Sequence, residues 1–182
     1  MVRGGNFRNV LQGDFGEAWL GAVAAGCDLI HGRPSTVDLD KADVLLTKVG
    51  LWEGTYSPTV MAQVKTTTDL RRLGSGAMSY DLDVATFNVL CRTDHAVRRV
   101  LVVIGLSDVG EKVVLQDGGT LLVGAGGWVS LEGLPPSENQ ATEAVELPLG
   151  NTLDRVGLER MLREYGVRRS TPVPDLDLWS PE

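Results

Sequence analysis

The chain is short of cysteine, of positive charge and of long apolar runs, and each shortage removes a class of protein. Two cysteines in 182 residues, Cys27 and Cys91, form neither a disulfide framework nor a CxxC metal half-site. They read as reduced thiols of a cytoplasmic protein. The densest apolar stretch, 100-VLVVIGL-106, has the length of a strand and falls well below the roughly 18 residues of a membrane span. The segment MVRGGNFRN lacks the apolar core of a signal peptide. Lys and Arg number 17 against 24 Asp and Glu, a formal net charge of −7. A protein that coats nucleic acid through bulk charge needs the opposite balance, whereas a local basic groove does not. His31 and His95 sit in no ligand spacing and precede no nucleophile, so they read as structural or exposed.

What is present, 43% hydrophobic and 23% charged residues, suits a globular chain with a real core. Residues 1–169 are expected to form a single domain. The acidic, proline-rich segment 170–182 is expected to be a mobile tail or a partner-binding arm. Residues 9–26 predict a helix with Phe15, Trp19, Ala22 and Val23 as its apolar stripe and Gly26 as its stop. Gly13 and Gly21 flank Glu17 four residues away on either side. They serve either close helix packing or the approach of some group to Glu17.

Residues 42–49 and 59–65 predict strands around the turn-rich segment GLWEGTYSP. A symmetric hairpin centred on Gly54 would set Asp43 opposite Lys65 and Leu45 opposite Gln63, so that Asp43, Gln63 and Lys65 share a face. A short helix at 83–92, a buried strand at 98–106 and strands with Gly-rich turns through 112–133 follow. A strand at 143–147 precedes a last helix, 153–165, capped by Asn151 or Thr152, with Leu158, Met161, Leu162 and Tyr165 inward.

The stretch 60-VMAQVKTTTD-69 interrupts an apolar strand with Gln63 and Lys65, which project together because strand side chains alternate. Two carboxylates, Glu17 and Asp43, with a neighbouring amide oxygen are hard donors suited to Mg²⁺ or Mn²⁺ and not to Zn²⁺. A lysine beside such a site can position a water and offset charge on a pentavalent phosphorus. In outline this is a hydrolytic phosphodiester site.

The order Glu17 … Asp43 … Gln63-Val64-Lys65 resembles the PD-(D/E)XK nuclease superfamily, in the Mrr-like variant where Gln replaces the acid of the (D/E)XK half. More narrowly, the chain resembles a bacterial family of small nuclease-like proteins of unknown function with that core. The pieces that carry the likeness are 13-GDFGEAWLGAVAAG-26, 40-DKAD-43, 63-QVKTT-67, 80-YDLDVATFNVLCR-92, 100-VLVVIG-105, 128-WVSLEGLPPSEN-139 and 145-VELPLGNTLDRVGLERML-162. The resemblance implies an α/β fold: a restriction-endonuclease-like mixed central sheet flanked by helices, with additional C-terminal strands and a helix. It implies Glu17, Asp43 and Gln63 as metal ligands for Mg²⁺ or Mn²⁺, and Lys65 as the catalytic lysine. It departs from the pattern at Ala42, where relatives carry glycine, and Asp38 and Asp40 compete with Asp43 for the ligand role.

Thr66, Thr67, Arg71 and Arg72 are candidate DNA contacts, though strand-end threonines and a solvated arginine pair are the more ordinary reading. Gln63 and Lys65 also fit an edge-strand polar pair, Glu17 a surface carboxylate, and Trp52 and Trp128 loop and core packing. Two functions follow. One is a metal-dependent endonuclease that hydrolyses phosphodiester bonds in DNA as a restriction or phage-defence effector, acting as a homodimer so that both strands are cut. The other is a catalytically inactive nuclease-like binding or assembly module, suited to the acidic charge and tail. A toxin-like RNase is a weaker third.

Overall fold

The structure is a computed structural model that describes residues 4–34, 42–107 and 111–167, with side chains from Phe7 onward. Asp38, Asp40 and the segment 170–182 lie outside the described residues. The elements are α1 (Gly4–Gly26), β1 (Ile30–Gly32), β2 (Val44–Thr47), β3 (Leu51–Trp52), β4 (Thr55–Tyr56), β5 (Thr59–Thr67), β6 (Arg71–Arg72), β7 (Met78–Asp83), α2 (Val84–Leu90), β8 (Arg99–Gly105), β9 (Val113–Gln116), β10 (Gly119–Leu122), β11 (Ala125–Val129), β12 (Thr142–Leu147) and α3 (Arg155–Tyr165).

The protein is mixed α/β. Its central sheet has the order β1-β2-β5-β8-β11, with β5 and β8 parallel and the other neighbours antiparallel. β8 reads as a continuous apolar run because both of its faces are covered. Val100, Val102 and Ile104 pack in a core with Trp19 and Leu20 of α1 and with Leu158, Met161 and Leu162 of α3. Leu101 and Val103 pack in a second core with Phe87 and Leu90 of α2 and Leu82, Val145 and Leu147 of the small sheet β12-β7-β6. Trp128 is 1% exposed and donates its indole N–H to the Gly157 carbonyl at 3.1 Å, tying β11 to α3.

Several sequence expectations shift. The stripe of α1 is rotated: Gly16, Leu20 and Ala24 face inward with Trp19, while Ala22 is exposed. The helix ends at Gly26, as expected, and the chain reverses at Asp28, at φ 62°. Leu29 N–H returns to the Ala24 carbonyl at 3.0 Å and Asp28 N–H to that of Ala25 at 3.1 Å, a Schellman closure. The cap of α3 is Asp154, whose carboxylate accepts from Gly157 N–H, and not Asn151 or Thr152. Met78–Asp83, not among the expected strands, is one: Met78, Tyr80 and Leu82 alternate with Ser79, Asp81 and Asp83.

The hairpin register also differs, and the difference positions the site. Glu53 and Gly54 both have positive φ, 46° and 81°, and form the two-residue turn between β3 and β4. Further out, Lys48 and Val49 face the single residue Pro58, a bulge that advances one strand by a residue. Val44 therefore pairs with Ala62, and Asp43 comes level with Gln63 instead of Lys65. The slip totals two residues, so every side chain keeps its face.

Candidate functional site

β5 is nine residues long, but β2 pairs with only Thr59–Ala62 of it. Beyond Ala62 the β2-side edge of β5 would leave its N–H and C=O groups open, and side chains take over. Asp43 N–H donates to the Ala62 carbonyl at 2.9 Å, and the Asp43 carboxylate then accepts Val64 N–H at 2.7 Å. One turn of α1 crosses the same edge, where Gln12 Nε2 donates to the Thr66 carbonyl at 2.8 Å. The notch where β2 stops is thus floored by Asp43 and walled by α1.

Asp43 also accepts from Gln63 Nε2, in a short bond to the same Oδ2. A carboxylate only accepts, so Gln63 must present its NH₂ group there, which fixes its Oε1 on the other side of the amide. Gln63 is 5% exposed, and that Oε1 has no hydrogen-bond partner. A buried acceptor without a partner costs about 1–3 kcal/mol, so a water or a cation beside it would be stabilising.

Glu17 approaches the notch from α1. Burial pushes its carboxyl up from the ordinary value; Arg33, 3.0 Å away, opposes this, and the charges of Asp43 and Asp14 add to it. Lys65 shares the Gln63 face but points onward: its Nζ stands 3.4 Å from Asp83 Oδ2, at the end of β7. Asp83 caps α2 by accepting Thr86 N–H at 2.8 Å. Burial disfavours its ionised form, but the Thr86 N–H bond and Lys65 outweigh that and hold its carboxyl below the usual range.

So the structure brings Asp43 and Gln63 into contact, sets Glu17 within their field, and directs the Lys65 ammonium to a carboxylate that sequence reasoning did not single out. The one sequence signal for Asp83 was its place before a helix; its partner is 18 positions away on another strand. Neither was Arg33 foreseen. Among the described residues, no three His, Cys, Asp or Glu side chains converge on one point as a metal group. The donors of the notch are two carboxylates and an amide oxygen. That set suits a weakly held Mg²⁺ or Mn²⁺, which keeps most of its waters and completes its shell with substrate. The unpartnered Gln63 Oε1 is the feature that fits such an ion. No protein-family model, curated protein or solved structure matches the chain.

The candidate DNA contacts sort by geometry. Thr66 Oγ1 is buried against α1 and makes no hydrogen bond. Thr67 Oγ1 accepts Asp69 N–H at 2.9 Å, and Arg71 is engaged by Asp81, whereas Arg72 is exposed. A cavity of about 500 Å³, lined by Met61, Arg92, His95 and Arg99 among others, opens near the start of β5 and contains none of the notch residues. There Arg92 pairs with Asp94, and His95 Nε2 meets the Val89 carbonyl.

Of the two glycines flanking Glu17, Gly21 is closed by the His31 ring, while Gly13 faces open space. The tight contact lies beside them. A Cβ added at Gly16 would fall 1.9 Å from Thr66 Oγ1 and 3.1 Å from its Cβ. Gly16→Ala should therefore push α1 off β5 and lower stability by about 1–3 kcal/mol, read from urea unfolding. Thr66→Ala alone removes a buried, unpartnered hydroxyl and should be near neutral. The double variant should recover most of the loss; a strictly additive pair would show that the contact is not the cause.

Proposed function

We propose that this protein is a metal-dependent endonuclease of the PD-(D/E)XK type, hydrolysing phosphodiester bonds in DNA, with its active site in the notch where β2 ends along β5. The observation that carries the reading is the pairing of Asp43 with Gln63, which leaves the amide oxygen of Gln63 buried and without a partner. The mixed central sheet with helices on both faces is consistent with a restriction-endonuclease-like fold. Asp43, Gln63 and Glu17 would hold Mg²⁺ or Mn²⁺. When bound, the ion acidifies a coordinated water and offsets charge on the phosphate. Asp43 is held in place by two donors, so its carboxylate needs little reorganisation. Lys65 supplies an ammonium on the same strand face, two residues on, to orient the attacking water and the scissile phosphate. Asp83 keeps that ammonium anchored until substrate arrives.

A second reading is a nuclease-like binding or assembly module. It is favoured by the two ion pairs, Glu17–Arg33 and Lys65–Asp83, that occupy the charged groups of the notch. Two measurements separate the readings. Supercoiled plasmid incubated with Mg²⁺ or Mn²⁺ should be nicked, and EDTA should stop the nicking. Millimolar Mn²⁺ should raise the melting temperature, and Asp43→Ala should abolish that rise. A protein that neither nicks nor responds to Mn²⁺ is the module.

A further inference from the structure

Arg33 meets Glu17 because a helix and a strand keep step. The His31 ring lies against Gly21, where an added Cβ would come within 2.8 Å of it. From Gly21 back to Glu17 is about 6 Å along α1, and from His31 on to Arg33 is about 6.6 Å along an extended chain. The two advances match, and Arg33 Nη2 arrives 3.0 Å from Glu17 Oε2. The side chain of Glu17 is 26% exposed and that of Arg33 76%. The fold thus secures the carboxylate and leaves the cation outside, free to leave.

Glu17 needs a cation. Asp43 and Asp14 both act on it repulsively, and Lys65 is held on Asp83. A guanidinium and a divalent ion compete for the same carboxylate lone pairs, so Glu17 cannot serve both fully. A guanidinium released at the lip of a phosphodiester site has a planar fork of donors that matches phosphate.

We propose that Arg33 is the counter-cation of the metal-free site: it holds Glu17 until Mg²⁺ or Mn²⁺ displaces it, and once displaced it binds a phosphate of the DNA strand. This rests on the nuclease reading of the notch. It makes metal loading and phosphate binding one linked event, because the ion that fills the site also frees the residue that holds the substrate.

Mn²⁺ binding followed by electron paramagnetic resonance tests the exchange without turnover. Arg33→Gln should bind Mn²⁺ about two- to fivefold more tightly than wild type, the range of an exposed ion pair. Lys48→Gln removes the same charge from the far end of β2, about 16 Å along the strand, and should leave the affinity unchanged. In a Lys65→Ala background, fluorescence anisotropy with a short DNA duplex should show Arg33→Gln weakening binding about two- to fivefold in Mn²⁺ but not in EDTA. Equal Mn²⁺ affinity in wild type and Arg33→Gln, or equal tightening in Lys48→Gln, would overturn the exchange while leaving the metal site intact. A loss of DNA binding that is the same in EDTA would overturn the release step. Failure of wild type and Glu17→Gln alike to bind Mn²⁺ would overturn the nuclease reading, and the exchange with it.

Discussion

Lys65→Ala should slow metal-dependent plasmid nicking by about 10²- to 10³-fold, the loss typical of one preorganised charged donor at a reacting centre. The Mn²⁺-induced rise in melting temperature should persist, because Lys65 contributes no metal ligand. The fold should also survive, since the Lys65–Asp83 pair is partly solvated, with 26% and 48% of the side chains exposed, and such pairs contribute about 1 kcal/mol at most. Asp83→Asn is the companion variant. Asparagine keeps an N-cap acceptor for Thr86 N–H but removes the charge that anchors the ammonium. Its nicking should fall far less, by about tenfold, with Lys65 still present to act. Undiminished nicking by Lys65→Ala would remove the lysine from the chemistry. Loss of both nicking and the Mn²⁺ response would mean instead that Lys65 shapes the notch.

The parts of this site that were legible in the sequence are those set by strand parity. Gln63 and Lys65 share a face whatever the register, and a two-residue slip of the hairpin could not separate them from the face of Asp43. The slip itself was not legible. It comes from a two-residue turn with Glu53 at positive φ, unusual for glutamate, and from a bulge at Lys48 and Val49 that no residue there announces. The helix positions show the same division. Periodicity located α1 and α3 but misplaced the stripe of α1 by a fraction of a turn. The inward row contains Gly16, whose role is to let Thr66 approach, and small residues carry no hydrophobic signal.

Asp83 and Arg33 were out of reach for a different reason. Each reaches the notch only through a contact between distant segments: Asp83 through its pair with Lys65 of β5, Arg33 through the match of the chain that runs on from β1 with α1. Met78–Asp83 was overlooked as a strand although Met78, Tyr80 and Leu82 alternate with Ser79, Asp81 and Asp83, the apolar three facing the second core. With the strand unseen, its terminal aspartate falls within the expected helix 83–92.

Gln63→Glu should produce the largest change in stability, and metal should offset it. Glutamate has the same shape as glutamine, so the substitution looks conservative. In this fold it is not. Gln63 is buried and donates its NH₂ to Asp43 Oδ2; a glutamate there would set one carboxylate directly against another at a buried position. Burial and a like charge both raise the carboxyl of a residue at this position. Its folded value would lie above its unfolded one, so the ionised form costs stability at neutral and higher pH and nothing well below the ordinary carboxyl range. In EDTA at pH 7–8 the variant should be about 2–4 kcal/mol less stable than wild type, the scale of a buried uncompensated charge. The deficit should shrink as pH falls towards 5, where the added carboxyl is protonated and can itself donate to Asp43. Millimolar Mn²⁺ should close the gap, because a third carboxylate strengthens the site and a hundredfold excess of metal over Kd contributes about 2.7 kcal/mol. Chemical denaturation at two pH values, with EDTA and with Mn²⁺, reads all of this. Equal stability of variant and wild type in EDTA at pH 8 would mean that Asp43 and Gln63 do not meet. A pH-dependent deficit that Mn²⁺ leaves untouched would mean that they meet for a structural reason, and that Gln63 Oε1 holds no metal.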